Sequence, residues 1–165
     1  MQIALHDYDP NWPAMFDQEH CRVTAAVGPV ALEVHHVGST SVPGLAAKPV
    51  LDIVLAVPDS TDEAVYVPAL KLAGYVFVLR EADWFEHRLL RREPGRVNLH
   101  VFTAGCMEIA VMIGFRDWLR SHPDDRDLYE RAKRSLAVRE WSQVQDYADA
   151  KSEVISEIQR RVGMS

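Results

Sequence analysis

"HVGSTSVPGLAAKPVLDIVLAV", His36 to Val57, decides the fold of this chain. A strand runs into Gly38 and stops. Gly38-Ser39-Thr40 follows, then a Val-Pro-Gly turn, Lys48 and Pro49. The run "VLDIVLAV", bounded by Pro49 and Pro58, is almost continuously apolar. Such a run reads as a central strand covered on both faces. Side chains alternate along a strand, so Val50, Asp52, Val54 and Ala56 point one way and Leu51, Ile53, Leu55 and Val57 the other. Asp52 is out of place there. A carboxylate in an apolar run costs several kcal/mol unless it is paired, metal-bound or at an open edge.

Working outward, the chain predicts a mixed sheet early and helices late. "QIAL" reads as a short strand, and "DYDPNWPAMFDQEHCRVTAAVG" as a helix capped by Asp9 or Asn11 and stopped by Gly28-Pro29. In "ALEVHHVG", Leu32, Val34 and His36 share one face, and Glu33, His35 and Val37 the other. Ser60 and Glu63 fit a capping box for a helix through Leu72, which Pro68 should kink or split. "YVFVL" is a strand, and "HRLLRREPGRVNLHVFT" a hairpin turning at Pro94-Gly95. "FRDWLR" sets Phe115, Trp118 and Leu119 against Arg116, Asp117 and Arg120. Ser121 and Asp124 fit a second capping box, for a helix with Leu128, Ala132 and Leu136 inward. The last helix carries Val154, Ile155, Ile158 and Val162 at helical spacing. No repeat, low-complexity segment or long linker breaks the pattern. Residues 1–165 read as one α+β domain with a helical C-terminal tail.

Composition narrows the function classes. The 165 residues are 48% apolar and 25% charged, ordinary globular values. Eighteen basic against 24 acidic side chains give a net charge of −6, which argues against duplex nucleic acid as a partner. A small basic pocket for one nucleotide remains compatible with that charge. Cys21 and Cys106 have no metal spacing and read as reduced thiols. The N-terminus lacks a signal-peptide pattern, and no run approaches a membrane span. A cytoplasmic protein is expected.

Glycine at position 38 lets a backbone approach a ligand, and successive N–H groups can cradle phosphate. A phosphate loop beside a strand carboxylate is the arrangement a Mg²⁺-bound nucleotide needs, so Asp52 is the candidate metal ligand. Gly38, Ser39 and Thr40 are the candidate phosphate loop, with a tight turn as their structural reading. Lys48 either neutralises phosphate or is solvated. Arg88, Arg91 and Arg92 offer a basic patch for a polyphosphate, while Arg92 and Arg96 read better as solvated turn residues. His100 shares a face with Asn98 and Phe102 and, with Asp52, is a candidate catalytic residue, as a base or pocket ligand; its other reading is a satisfied core histidine. His36 ends its strand close to the loop and is a possible pocket residue. Trp84 is placed at the pocket rim, where it could stack a base; Trp12, Trp118 and Trp141 read as core. Lys151, on a late helix, either reaches the pocket or is a surface residue, and the surface reading is favoured.

"YDPNW", "HVGSTSVPGLAAKPVLDI", "GY", "FRDWLR", "HP", "LYERAKRSLA" and "DYADAK" together resemble the GrpB family, across Tyr8 to Lys151. More distantly, Gly-Ser, a loop and a strand aspartate resemble the signature of the nucleotidyltransferase superfamily. The resemblance implies a mixed sheet flanked by helices. It also implies transfer of a nucleotidyl or phosphoryl group from a Mg²⁺-nucleotide to some acceptor. Gly38 and Ser39 match the superfamily loop, and Asp52 matches the first carboxylate of its Asp-x-Asp pair. Val54 stands where the second belongs, which puts two-metal catalysis in doubt and favours a non-catalytic module binding a nucleotide or anionic metabolite. GrpB-like domains also occur fused to some dephospho-coenzyme A kinases, which points toward nucleotide or coenzyme metabolism.

Overall fold

The apolar run after Pro49 forms β2 (Leu51–Val57), and all its residues except Asp52 are buried. This computed structural model describes residues 4–93, 96–138 and 144–164. The expected Pro94-Gly95 turn, Trp141 and the first part of "QIAL" lie outside the described residues. From "QIAL" onward, the first pairing is a bridge of His6 with Ala47.

Five strands form one mixed sheet. They are β1 (Glu33–Val37), β2, β3 (Val76–Glu81), β4 (His87–Arg92) and β5 (Val97–Thr103), in the order β1-β2-β5-β4-β3. β2 runs parallel to β5; the other neighbours are antiparallel. The β2–β5 register sets Asp52 opposite Asn98 and Val54 opposite His100. On the other side Val37 lies opposite Asp52.

The two sheet faces are covered by different helices. Leu51, Ile53, Leu55 and Val57 pack with Leu99 and Val101 against α1 (Trp12–Val27) and α2 (Val67–Leu72). Val54, Ala56 and Phe102 face α3 (Met107–Ser121), where Ile109 closes a smaller cluster. α4 (Pro123–Ala137) and α5 (Val144–Met164) then pack on α3, with Leu119, Tyr129 and Ile158 buried together. Asp52 therefore points at the helical tail, not at α1.

Several local expectations are corrected. The helix after Ser60 is split, as Pro68 requires: a 3-10 turn at Glu63–Val65, then α2. Ser60 does not cap it. Its hydroxyl donates to Glu86 O at 2.8 Å, and Glu63 instead takes Arg80 and Arg88. α4 starts at Pro123 with His122 at the N-cap, and Ser121 bonds back to Asp117 O. The inward stripe of α4 is Asp125, Tyr129, Lys133 and Ala137, one position away from Leu128, Ala132 and Leu136. Both stripes have helical spacing; docking against α5 and the Gly38 loop selects the first. Arg92 is not a solvated turn residue: it pairs with the buried Glu19, which also accepts the Tyr75 hydroxyl at 2.6 Å. Arginine hydrogen bonds and charge overcome the burial that would otherwise raise Glu19, and hold its carboxyl below the usual range.

Candidate functional site

Gly38 ends β1 with φ +73°, a conformation that favours glycine. The chain then closes a 3-10 turn at Ser39–Ser41, with Ser41 N donating to Gly38 O. The loop lies directly on β2. A Cβ at position 38 would meet Asp52 Oδ2 at 2.8 Å and Asp52 Cβ at 3.2 Å. So the glycine is required here by both its torsion and its contact with the aspartate. Two α3 arginines hold the loop from the far side: Arg116 donates to His36 O at 3.0 Å and Arg120 to Ser41 O at 2.9 Å.

Asp52 sits at the start of β2 with its side chain about a third exposed to a cleft. Its Oδ1 is 3.0 Å from His100 Nε2 and 3.4 Å from Asn98 Nδ2. Burial raises the carboxyl, but the His100 bond and charge, Asn98 and Lys151 outweigh it and hold it below its usual value. His100 Nδ1 is 3.0 Å from His87 Nε2, and His87 Nδ1 is 2.8 Å from Glu81 Oε1. A line of four groups thus runs from the cleft, across β5 and β4, to the half-exposed Glu81. Three hydrogen bonds along it need three N–H groups from four ring nitrogens. Two neutral imidazoles supply only two, so all three bonds form when the pair carries one extra proton. Burial and His100 push the His87 imidazole down, while Glu81 pulls it up.

The positive side of the cleft comes from the helical tail. Lys133 on α4 is 2% exposed and donates to Ser39 Oγ at 2.7 Å. Its ammonium lies 4.9 Å from the centre of the Tyr129 ring. Among the described residues, no carboxylate is within salt-bridge distance of Lys133 or Lys151. Burial, with Lys151 nearby, lowers Lys133 to about 7. Lys151 is also lowered by burial, although Asp52 opposes this. Lys48, Lys133 and Lys151 line a cavity of about 140 Å³ with Ser39, Thr40 and Asp52. A second cavity, about 320 Å³, adjoins it and shares Ser39, Asp52 and Lys151.

Gly38, Ser39, Thr40, Lys48, Asp52 and His100 are thus gathered at one place. Thr40 lines the small cavity, but its hydroxyl is engaged 2.8 Å from His36 Nε2. His36 itself is on the other face of β1, stacked on Phe16 of α1 at 5.0 Å, and does not reach the cleft. Alternation decides this: Val37, not His36, shares the face of Asp52. Arg88 is likewise on the opposite face of its sheet, opposite Val101, and is buried against Glu63 and Glu86. It supplies no phosphate contact at the loop. Trp84 packs edge-on against His87 and Phe102, behind the histidine pair and outside the cavity walls. Lys151 is the reverse case: the less favoured of its two readings holds, and it lines the cleft with Asp52. Lys133, Tyr129 and His87 went unmarked in the sequence. A lysine in the buried stripe of an amphipathic helix was the signal available for Lys133.

Asp52 is, among the described residues, the one carboxylate lining the small cavity, and three lysines line it too. Among the described residues no three His, Cys, Asp or Glu side chains converge to hold a metal. Val54, at the place of a second carboxylate, is fully buried in the apolar cluster under α3. This donor set does not fit a resident Mg²⁺ ion, which needs hard oxygen ligands in octahedral array.

A family model described as "GrpB protein" matches residues 2–161. The chain belongs to the GrpB family. Among GrpB-family relatives, a UPF0157 protein of Halalkalibacterium halodurans is 55% identical over 96% of this chain and 82% of its own length. A UPF0157 protein of Streptomyces coelicolor is 46% identical over 99% of this chain and 86% of its own. A dephospho-CoA kinase of Mycolicibacterium paratuberculosis is 30% identical over 96% of this chain, which spans 46% of that protein. The crystal structure of GrpB from Enterococcus faecalis superposes with a TM-score of 0.86 at 27% identity, covering 96% of both chains. The GrpB fold is thus the mixed sheet with helical tail described above. No helix among the described residues is long and apolar enough to cross a membrane.

Proposed function

We propose that the cleft binds the phosphate group of a nucleotide or a similar anionic metabolite, and that the chain acts there as a binding module. One observation carries this reading: three lysines, Ser39 and Thr40 converge on a small cavity that has one carboxylate, Asp52, among its described lining residues. Lys151 is half-buried and Lys133 is held out of bulk water, neither with a carboxylate partner among the described residues. An ammonium group buried this way is costly, and an incoming anion offsets the cost. A relative that is a dephospho-CoA kinase by name is in keeping with a phosphate-bearing ligand.

Transfer chemistry is the second reading, and the Asp52–His100–His87–Glu81 line favours it. A cleft carboxylate that is hydrogen-bonded to an imidazole is equipped to take a proton from an acceptor hydroxyl, with His100 assisting. In this reading the chain is a nucleotidyltransferase-type enzyme and Mg²⁺ arrives with the nucleotide's phosphates. It requires release of pyrophosphate in the presence of Mg²⁺, abolished in Asp52→Ala.

The test of the binding reading is a thermal-shift series with nucleotides and coenzyme precursors, with and without Mg²⁺ and Mn²⁺. Phosphate-bearing compounds should raise the melting temperature, as a ligand selective for the native state does. Lys133→Met and Lys151→Met should each remove most of that rise. No rise with any phosphate compound in the wild-type chain contradicts the proposal.

A further inference from the structure

The two adjoining cavities differ in chemistry as well as size, and this bears on what the ligand is. The smaller is walled by Lys48, Lys133 and Lys151. The larger lies between the end of β1 and the inner sides of α3 and α5, and Val37, Val111, Met112, Phe115 and Ile155 supply its apolar wall. A molecule spanning both passes Ser39, Asp52 and Lys151, the residues they share.

The lysines set the anionic end. Lys48 and Lys133 line the smaller cavity and not the larger, and Lys151 lines both. A polyphosphate extended into the larger cavity would leave Lys48 and Lys133 behind. It would meet the Glu108 carboxyl against an apolar wall.

Resting on the phosphate-site reading above, we infer that the ligand is a phosphomonoester with a largely apolar body. Its single phosphoryl group sits among Lys48, Lys133 and Lys151. Its body fills the larger cavity, where His100, Glu108 and Gln159 are the hydrogen-bonding groups available to it. Burial of that body adds affinity in proportion to the apolar area removed from water.

Calorimetric titration with five probes tests this: inorganic phosphate, AMP, hexyl phosphate, ATP and adenosine. The better of AMP and hexyl phosphate should bind at least about tenfold more tightly than inorganic phosphate, since one well-buried apolar group is worth about 1.5–3 kcal/mol. ATP should bind no more tightly than AMP, and adenosine much more weakly. Val111 is at the exposed margin of its helix, so Val111→Glu is expected to fold. It should weaken the monoester at least about fivefold and leave inorganic phosphate unchanged, because a carboxylate set against the apolar body lines the larger cavity and not the lysine cavity. Met112→Gln should move the same way. Equal affinity for inorganic phosphate and both monoesters overturns the inference, as does ATP binding tenfold more tightly than AMP; in both cases the phosphate site itself stands. Absence of binding by every anion removes the phosphate site and the inference with it.

Discussion

Gly38 shows how closely the site is tied to one backbone position. Any side chain there collides with the carboxylate that the loop is packed on, and its φ of +73° adds strain. Gly38→Ala is expected to cost about 1–3 kcal/mol in a urea unfolding experiment and to remove phosphate-induced stabilisation. His36, on the opposite face, has a different consequence. Burial, with Arg120 and Arg116 nearby, lowers its imidazole to about 4, against about 6.5 for an exposed histidine. Between those values the unfolded chain binds a proton that the folded chain refuses, so stability falls as pH drops through this window. It is fully present above about 6.5. By pH 4.5 the loss is on the order of 2 kcal/mol, and His36→Gln should flatten it when unfolding midpoints at pH 7 and 4.5 are compared with wild type.

At the scale of elements, the sheet was legible in the sequence because alternation and continuous apolar runs are local signals. Leu51–Val57, the β4–β5 hairpin and the split at Pro68 each follow from residues within one element. Capping boxes were misread because Ser60 and Glu63 had partners elsewhere. Glu63 takes both Arg80 and the buried Arg88, and the Arg80 bond foremost lowers its carboxyl to about 2. These pairs lock the turn before α2 to β3 and β4. Glu63→Ala strands Arg88 with Glu86 alone and should cost about 2–4 kcal/mol in chemical denaturation. Arg80→Ala, at a 53% exposed side chain, should cost under about 1 kcal/mol. A similar cost for both would contradict a buried role for Arg88.

For the molecule as a whole, the half of the site that lies on neighbouring strands could be read in advance. Gly38, Ser39, Asp52 and His100 belong to β1, β2 and β5 or the loop leaving them, and strand alternation put Asp52 with the later His100 in one row. The lysine half could not be read so. Lys133 and Lys151 enter the cleft only because α4 and α5 dock over it, and docking selected one of two helical frames that the spacing of α4 left equal. Arg88 and His36 were lost for the same kind of reason: each is on the face of the sheet away from Asp52. What the docked tail adds is positive charge opposite Asp52, and on that charge the proposed anion site rests.

The central claim is tested most directly at Lys133. Its low proton affinity makes it largely neutral at pH 8, and an anion beside it raises that affinity. A phosphomonoester is already dianionic at pH 8, so any proton uptake on binding comes from the protein. AMP titrated calorimetrically at pH 8 in two buffers of different ionisation enthalpy should bind with uptake of a substantial fraction of a proton. Lys133→Met should abolish the uptake and weaken binding at least about tenfold. AMP that binds equally well to the variant, with the same uptake, would contradict an anion site built on the buried lysine.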